Sequence, residues 1–109
     1  IQQKKYSEAL NNVEQYLTFD TENSKMISLR GDILLRLHKF DEAETSYMRS
    51  LELDSRDESA YQGLIAIYVV QDKIEPLINI LERYAKIVPP GSEKARQIEE
   101  QIQTLKSQL

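Results

Sequence analysis

Residues 31–54 read GDILLRLHKFDEAETSYMRSLELD, and all of this stretch from Leu37 onward recurs. Moved back by 34 positions, LHKFDEAETSYMRSLELD falls on QKKYSEALNNVEQYLTFD, residues 3–20; moved forward by 34, it falls on QDKIEPLINILERYAKIV, residues 71–88. Phe40, Ala43, Tyr47, Leu51 and Leu53 thereby meet Tyr6, Ala9, Val13, Leu17 and Phe19 in the first copy. In the third copy Ile74, Leu77 and Leu81 take the places of Phe40, Ala43 and Tyr47, and Tyr84 follows one turn later. Spacings of three and four place each set on one face of a helix, so the repeating unit contains an amphipathic helix.

A second helix precedes it in the two later copies. Ile27, Ile33, Leu34 and Leu37 share a face, with Asp32 and Arg36 on another. Thr21-Glu22-Asn23-Ser24 supplies side chains that can accept the free N–H groups of its first turn. Only His38-Lys39 separates it from the next helix, which carries Phe40, Ala43, Tyr47, Ser50 and Leu51, so the two form an antiparallel hairpin. The same pair is expected over residues 58–88: Tyr61, Leu64, Ile65 and Tyr68 inward, a turn at Gln71-Asp72-Lys73, then Ile74, Leu77, Leu81 and Tyr84, stopped by Pro89-Pro90-Gly91. Residues 4–19 provide only the second helix of a pair. All six tyrosines, at 6, 16, 47, 61, 68 and 84, are expected to face neighbouring helices as core.

Residues 92–109 form one more amphipathic helix, opened by Ser92, with Ala95, Ile98, Ile102, Leu105 and Leu109 at alternating spacings of three and four. An open repeat array needs its last apolar face covered, which makes this a capping helix. The same spacing is also a heptad seam, so pairing with another chain is the alternative.

Composition limits the partners. The chain has 109 residues, 40% hydrophobic and 29% charged, as in one packed globular domain. Its net charge of -4 is spread without a Lys/Arg stripe, which argues against nucleic acid. No cysteine is present, which removes disulfides, thiolates and soft metal sites and leaves the redox compartment open. The longest apolar run, residues 64–70, falls far short of the roughly 20 residues needed to cross a bilayer. The opening IQQKKYSEAL has neither an initiator Met nor a basic-then-apolar leader, and reads as the cut edge of a longer cytoplasmic protein.

No constellation for catalysis emerges. His38, the single histidine, lies in an inter-helix turn and reads as a solvated side chain. Asp41, Glu42 and Glu44 flank a helix start, where negative charge favours the macrodipole. Arg30-Gly31-Asp32 spells an adhesion tripeptide, but inside a helix, where it cannot be presented as a loop. No catalytic residue, metal site or cofactor is expected.

Helix pairs repeating every 34 residues resemble the tetratricopeptide repeat (TPR) family. In residues 24–57, Gly31 stands at the family's small first-helix position, Phe40-Asp41-Glu42-Ala43 matches its F/Y-D-E-A segment, and Ser50-Leu51-Glu52-Leu53-Asp54 its A-L-E-L-D ending. In residues 58–91, Tyr61, Leu64, Tyr68 and Pro89 match. Gly31 and Ala43 mark the close approach of paired helices, where a larger side chain would cost about 1–3 kcal/mol. The third copy departs, with Ile65 and Leu77 at these places, Gly63 two residues early and Pro76 in the opening turn, so a looser or reoriented pair is expected there. Arg30 replaces the usual Leu, its stem packing and its charge reaching an acid or water.

The resemblance implies an all-α, right-handed solenoid of antiparallel helix pairs: a half repeat at 2–23, a full repeat at 24–57, a degenerate one at 58–91 and a capping helix at 92–109. It implies a non-catalytic scaffold that holds a peptide or helix of a partner protein, or of a multiprotein complex, in a concave groove lined by first helices. The matching positions here are Lys25, Ser28, Asp32, Leu35 and Arg36, then Ser59, Gln62, Ala66, Val69 and Val70. Asp32, Arg36 and Gln62 are expected to tolerate alanine, as exposed positions do. Relatives that grip chaperone carboxylate tails use a Lys/Asn/Arg clamp; Leu29, Ser59 and Gly63 occupy those places here, so such tails are not the expected ligand. The alternative function is self-association through the end faces or the last helix.

Overall fold

The computed structural model describes residues 2–109. The described residues form six α-helices: α1 (Gln2–Phe19), α2 (Ser24–Arg36), α3 (Phe40–Leu53), α4 (Glu58–Val70), α5 (Ile74–Ala85) and α6 (Glu93–Lys106). They fall into two compact units, one ending at Gly63 and one starting at Leu64, with the division inside α4.

In the first unit the helix ends follow from local chemistry. The side chain of Asn23 accepts a hydrogen bond from the backbone N–H of Met26 at 3.1 Å and its amide donates to Asp20 Oδ2 at 3.0 Å, fixing the start of α2. At its end His38 adopts φ 60°, and two backbone bonds close the turn: His38 N–H to Leu35 O at 3.0 Å and Lys39 N–H to Leu34 O at 2.9 Å. This is a left-handed cap of the Schellman type, a place that glycine fills without steric cost. His38 thus has a conformational role, with its ring edge-on to Phe40 at 5.8 Å. Asp57 starts α4: its Oδ1 accepts from Ala60 N–H at 3.4 Å, and its Oδ2 lies 2.8 Å from the hydroxyl of Ser50.

The core of this unit is built from the expected faces. Val13, Leu17, Ile27 and Ile33 join α1 to α2, supported by Tyr6, Ala9, Leu10, Met26, Leu37 and Leu53. Ala43, Tyr47 and Leu51 of α3 are buried almost completely. Two expectations for α1 fail: Phe19 is 90% and Tyr16 46% exposed. Each residue turns a helix by about 100°, so Tyr16 and Phe19 point well to the side of the Val13–Leu17 line that meets α2. Arg30 reaches a hydroxyl, its Nε donating to Ser46 Oγ at 3.0 Å.

In the second unit α4 ends as α2 does: Asp72 has φ 54°, with Asp72 N–H to Val69 O at 3.2 Å and Lys73 N–H to Tyr68 O at 2.9 Å. Ile67 is fully buried while Ile65 is only half-buried, so Ile67 takes the inward place assigned to its neighbour. Pro76 sits in the first turn of α5, where a missing N–H breaks no helical bond. Leu77, Ile78, Ile80, Leu81 and Tyr84 are buried, and α6 pairs with α5 through the buried Ile98 and Ile102. Ser92 caps α6 by accepting from Ala95 N–H at 3.1 Å. Lys106 meets Glu82 at 3.4 Å, and the ammonium of Lys94 lies 3.1 Å from the hydroxyl of Tyr84. No described helix is long and apolar enough to cross a membrane.

Candidate protein-binding face

Tyr47 organises the candidate face. Its ring, with no solvent exposure, is packed against two glycines. A Cβ on Gly31 of α2 would stand 2.8 Å from Cε1 and 2.9 Å from Cδ1 of the ring. A Cβ on Gly63 of α4 would collide with Cζ and Cε2 and come within 2.6 Å of the hydroxyl oxygen. Gly63, which sequence comparison places two residues early, is therefore the residue that admits Tyr47 beside α4. The signal was a glycine out of repeat register, and only the neighbouring ring explains it.

Packing aims the Tyr47 hydroxyl at Asp32, where it donates to Oδ1 at 2.5 Å. Burial pushes the Tyr47 phenol well above its ordinary range, and the hydrogen bond to the Asp32 carboxylate adds to the rise. Burial likewise raises the Asp32 carboxyl above 3.8; the Tyr47 hydrogen bond opposes this, Asp57 raises it further, and Arg36 and Ser59 lower it. Asp32 has no ion-pair partner among the described residues. With Leu35 and Arg36 it lines an open depression of ≈ 410 Å³ on α2.

The positions singled out from sequence are not equivalent. Lys25, Arg36, Ser59 and Gln62 are exposed in the first unit, and Asp32 and Leu35 are half-buried there. Ser28 is only 4% exposed, its hydroxyl 3.4 Å from that of Ser59, and so belongs to the packing between α2 and α4. Asp32 is structural as well as accessible, which removes the expectation that alanine is tolerated there. In the second unit Ala66, Val69 and Val70 are exposed along α4, Val69 and Val70 by more than half. No cluster of three potential metal ligands occurs among the described residues.

No protein-family model matches the chain. Heat shock protein STI1 of Saccharomyces cerevisiae is 31% identical over 84 residues, which is 75% of this chain but only 14% of STI1. The first TPR of Spaghetti (RPAP3), solved bound to the HSP90 peptide SRMEEVD, superposes with a TM-score of 0.76 at 22% identity, over 98% of this chain and 82% of that one. The TPR2B domain of yeast Sti1, in a pHsp70 complex, gives 0.77 at 18% identity over 97% and 86%. The type III secretion translocator chaperone SycD of Yersinia enterocolitica gives 0.80 at 14% identity over 98% and 76%. By its 34-residue period, its matching residues and a fold shared with solved TPR domains, the chain has the tetratricopeptide repeat fold.

Proposed function

We propose that this chain is a non-catalytic interaction module that binds a peptide or helix of a partner protein on the face made by α2 and the first turns of α4. The depression lined by Asp32, Leu35 and Arg36 carries this reading, because one of its lining side chains, Asp32, is held in place by the hydrogen bond from Tyr47. Lys25, Ser59 and Gln62 extend the polar contact surface, while the buried Ser28 packs beside Ser59. Ala66, Val69 and Val70 offer a separate apolar contact in the second unit. The solved relatives bound to an HSP90 peptide and in a pHsp70 complex support peptide binding as a class. The acidic chaperone tail itself is a poor fit here, because Leu29, Ser59 and Gly63 stand at the clamp positions.

Self-association through α6 is disfavoured by burial: Ile98 and Ile102, the centre of the heptad-like seam, are 4% and 3% exposed in the pairing with α5. Tyr16 and Phe19 on α1 keep self-association open as a second reading.

The test is affinity capture with wild-type chain and the variant Gln62→Trp, which obstructs the face from an exposed helical position, alongside a differently tagged copy of the chain. A partner protein retained by wild type and lost with Gln62→Trp, at unchanged circular dichroism, supports the face. Capture of the tagged copy alone, equally by both forms, refutes it in favour of self-association.

A further inference from the structure

Resting on the binding face proposed above, we infer that its ligand contributes a cationic side chain, lysine or arginine, which pairs with the carboxylate of Asp32 in the depression beside Leu35.

Three observations converge on a cation. Asp32 is half-buried in an open depression, and its partly desolvated charge is held by hydrogen bonds but by no ion pair among the described residues. The carboxylate is fixed: Oδ1 is held by a hydroxyl whose ring is confined between Gly31 and Gly63, so Oδ2 needs little further ordering to accept from a ligand. On balance the surroundings disfavour the Asp32 charge: burial raises its pKa most, the Tyr47 hydrogen bond lowers it, Asp57 raises it, and Arg36 and Ser59 lower it by lesser effects. An incoming ammonium or guanidinium would reverse that balance. Leu35 gives the aliphatic stem of such a side chain a surface to cover.

The same packing works against an anionic ligand. An arginine at position 63, where relatives place one arm of their carboxylate clamp, would put its Cβ into the Tyr47 ring. The chain therefore cannot regain that arm without losing the tyrosine that positions Asp32. Charge on this face is mixed, with Lys25 two turns from Asp32 and Arg36 one turn away, so the selectivity is for one cation at one place rather than for a basic segment.

The experiment uses the whole chain to select from a library of nine-residue peptides, acetylated and amidated and degenerate at every position. Selected peptides are expected to share a lysine or arginine at one fixed position. Replacing it with norleucine or citrulline, or replacing Asp32 with Asn, should each weaken binding about tenfold, and the two changes together should cost little more than either alone. Asp32→Asn keeps an acceptor for Tyr47, so its fold serves as its own control by circular dichroism. Arg36→Gln should tighten these peptides by removing a like charge. Selected peptides with no fixed basic residue, or weakening by Arg36→Gln, would overturn the cation while leaving the binding face standing. If wild-type chain selects no peptide sequence at all, the face and the cation fall together.

Discussion

The Tyr47 hydroxyl donates to Asp32 Oδ1 at 2.5 Å across the α2–α3 pair, joining the most enclosed aromatic ring of the first unit to the carboxylate on its candidate binding face. Core packing and the candidate face are thus coupled at one bond, and alterations on either side of it should be felt on the other.

Asp32→Ala leaves the Tyr47 hydroxyl buried and without its acceptor, and an unsatisfied buried donor costs about 1–3 kcal/mol. The exposed pair Arg36→Ala/Gln62→Ala should stay within about 0.5 kcal/mol of wild type. Urea unfolding followed by circular dichroism separates them, with equal slopes and different midpoints. Equal midpoints would show that the Tyr47–Asp32 bond contributes nothing to stability.

The pH dependence has a definite sign. Burial raises the Asp32 carboxyl in the folded chain above its unfolded value near 3.8, so the folded state favours the protonated form. The stability this group contributes is complete below that unfolded value and is lost as pH rises through the raised folded value. Asp32→Asn keeps the acceptor and cannot ionise. The stability of Asp32→Asn relative to wild type should therefore increase from pH 3.5 to pH 7, as read from urea midpoints at each pH. A flat or falling difference would contradict the burial of this carboxylate.

Gly63→Ala should destabilise the chain by about 1–3 kcal/mol through collision with the Tyr47 ring, and more than Gly31→Ala, whose Cβ would sit 2.8 Å from the ring edge. In a Tyr47→Leu background the ring is gone and the helix preference of alanine over glycine, up to about 1 kcal/mol, should appear instead. A sign reversal in thermal melting between the two backgrounds is the expected result. A Gly63→Ala cost that persists without the ring would place the conflict elsewhere.

Asp72→Gly should stabilise the chain by about 0.5–1 kcal/mol, because an L-residue in the left-handed region costs roughly 1–2 kcal/mol and glycine returns only part of that as entropy. His38→Gly should gain less, since it also gives up the edge contact with Phe40. Melting temperatures of the two variants test the order.

The two turns show how far sequence reading reached. His38 and Asp72 stand 34 residues apart and were legible as turns from the apolar spacing around them, but their left-handed backbone was not, because neither is glycine. The caps at Asn23 and Ser92 were readable, since a side chain bonding three residues ahead is a local event. Among the face residues, Arg36, Ser59 and Gln62 could be placed by helical phase alone. Ser28 and Asp32 lie at similar phases, yet Ser28 is buried against α4 and Asp32 is tied to α3, because each meets a helix distant in sequence.

The helices, their pairing and the repeat fold were legible in the chain itself, because a 34-residue apolar period and short turns are properties of local chain geometry. Tertiary structure alone decided that Tyr47 sits between Gly31 and Gly63, that its hydroxyl holds Asp32, and that Tyr16 and Phe19 face outward. These outcomes depend on how closely helices approach and on which side chain reaches into the gap. Such contacts join residues far apart in the chain, and no one-dimensional period contains them.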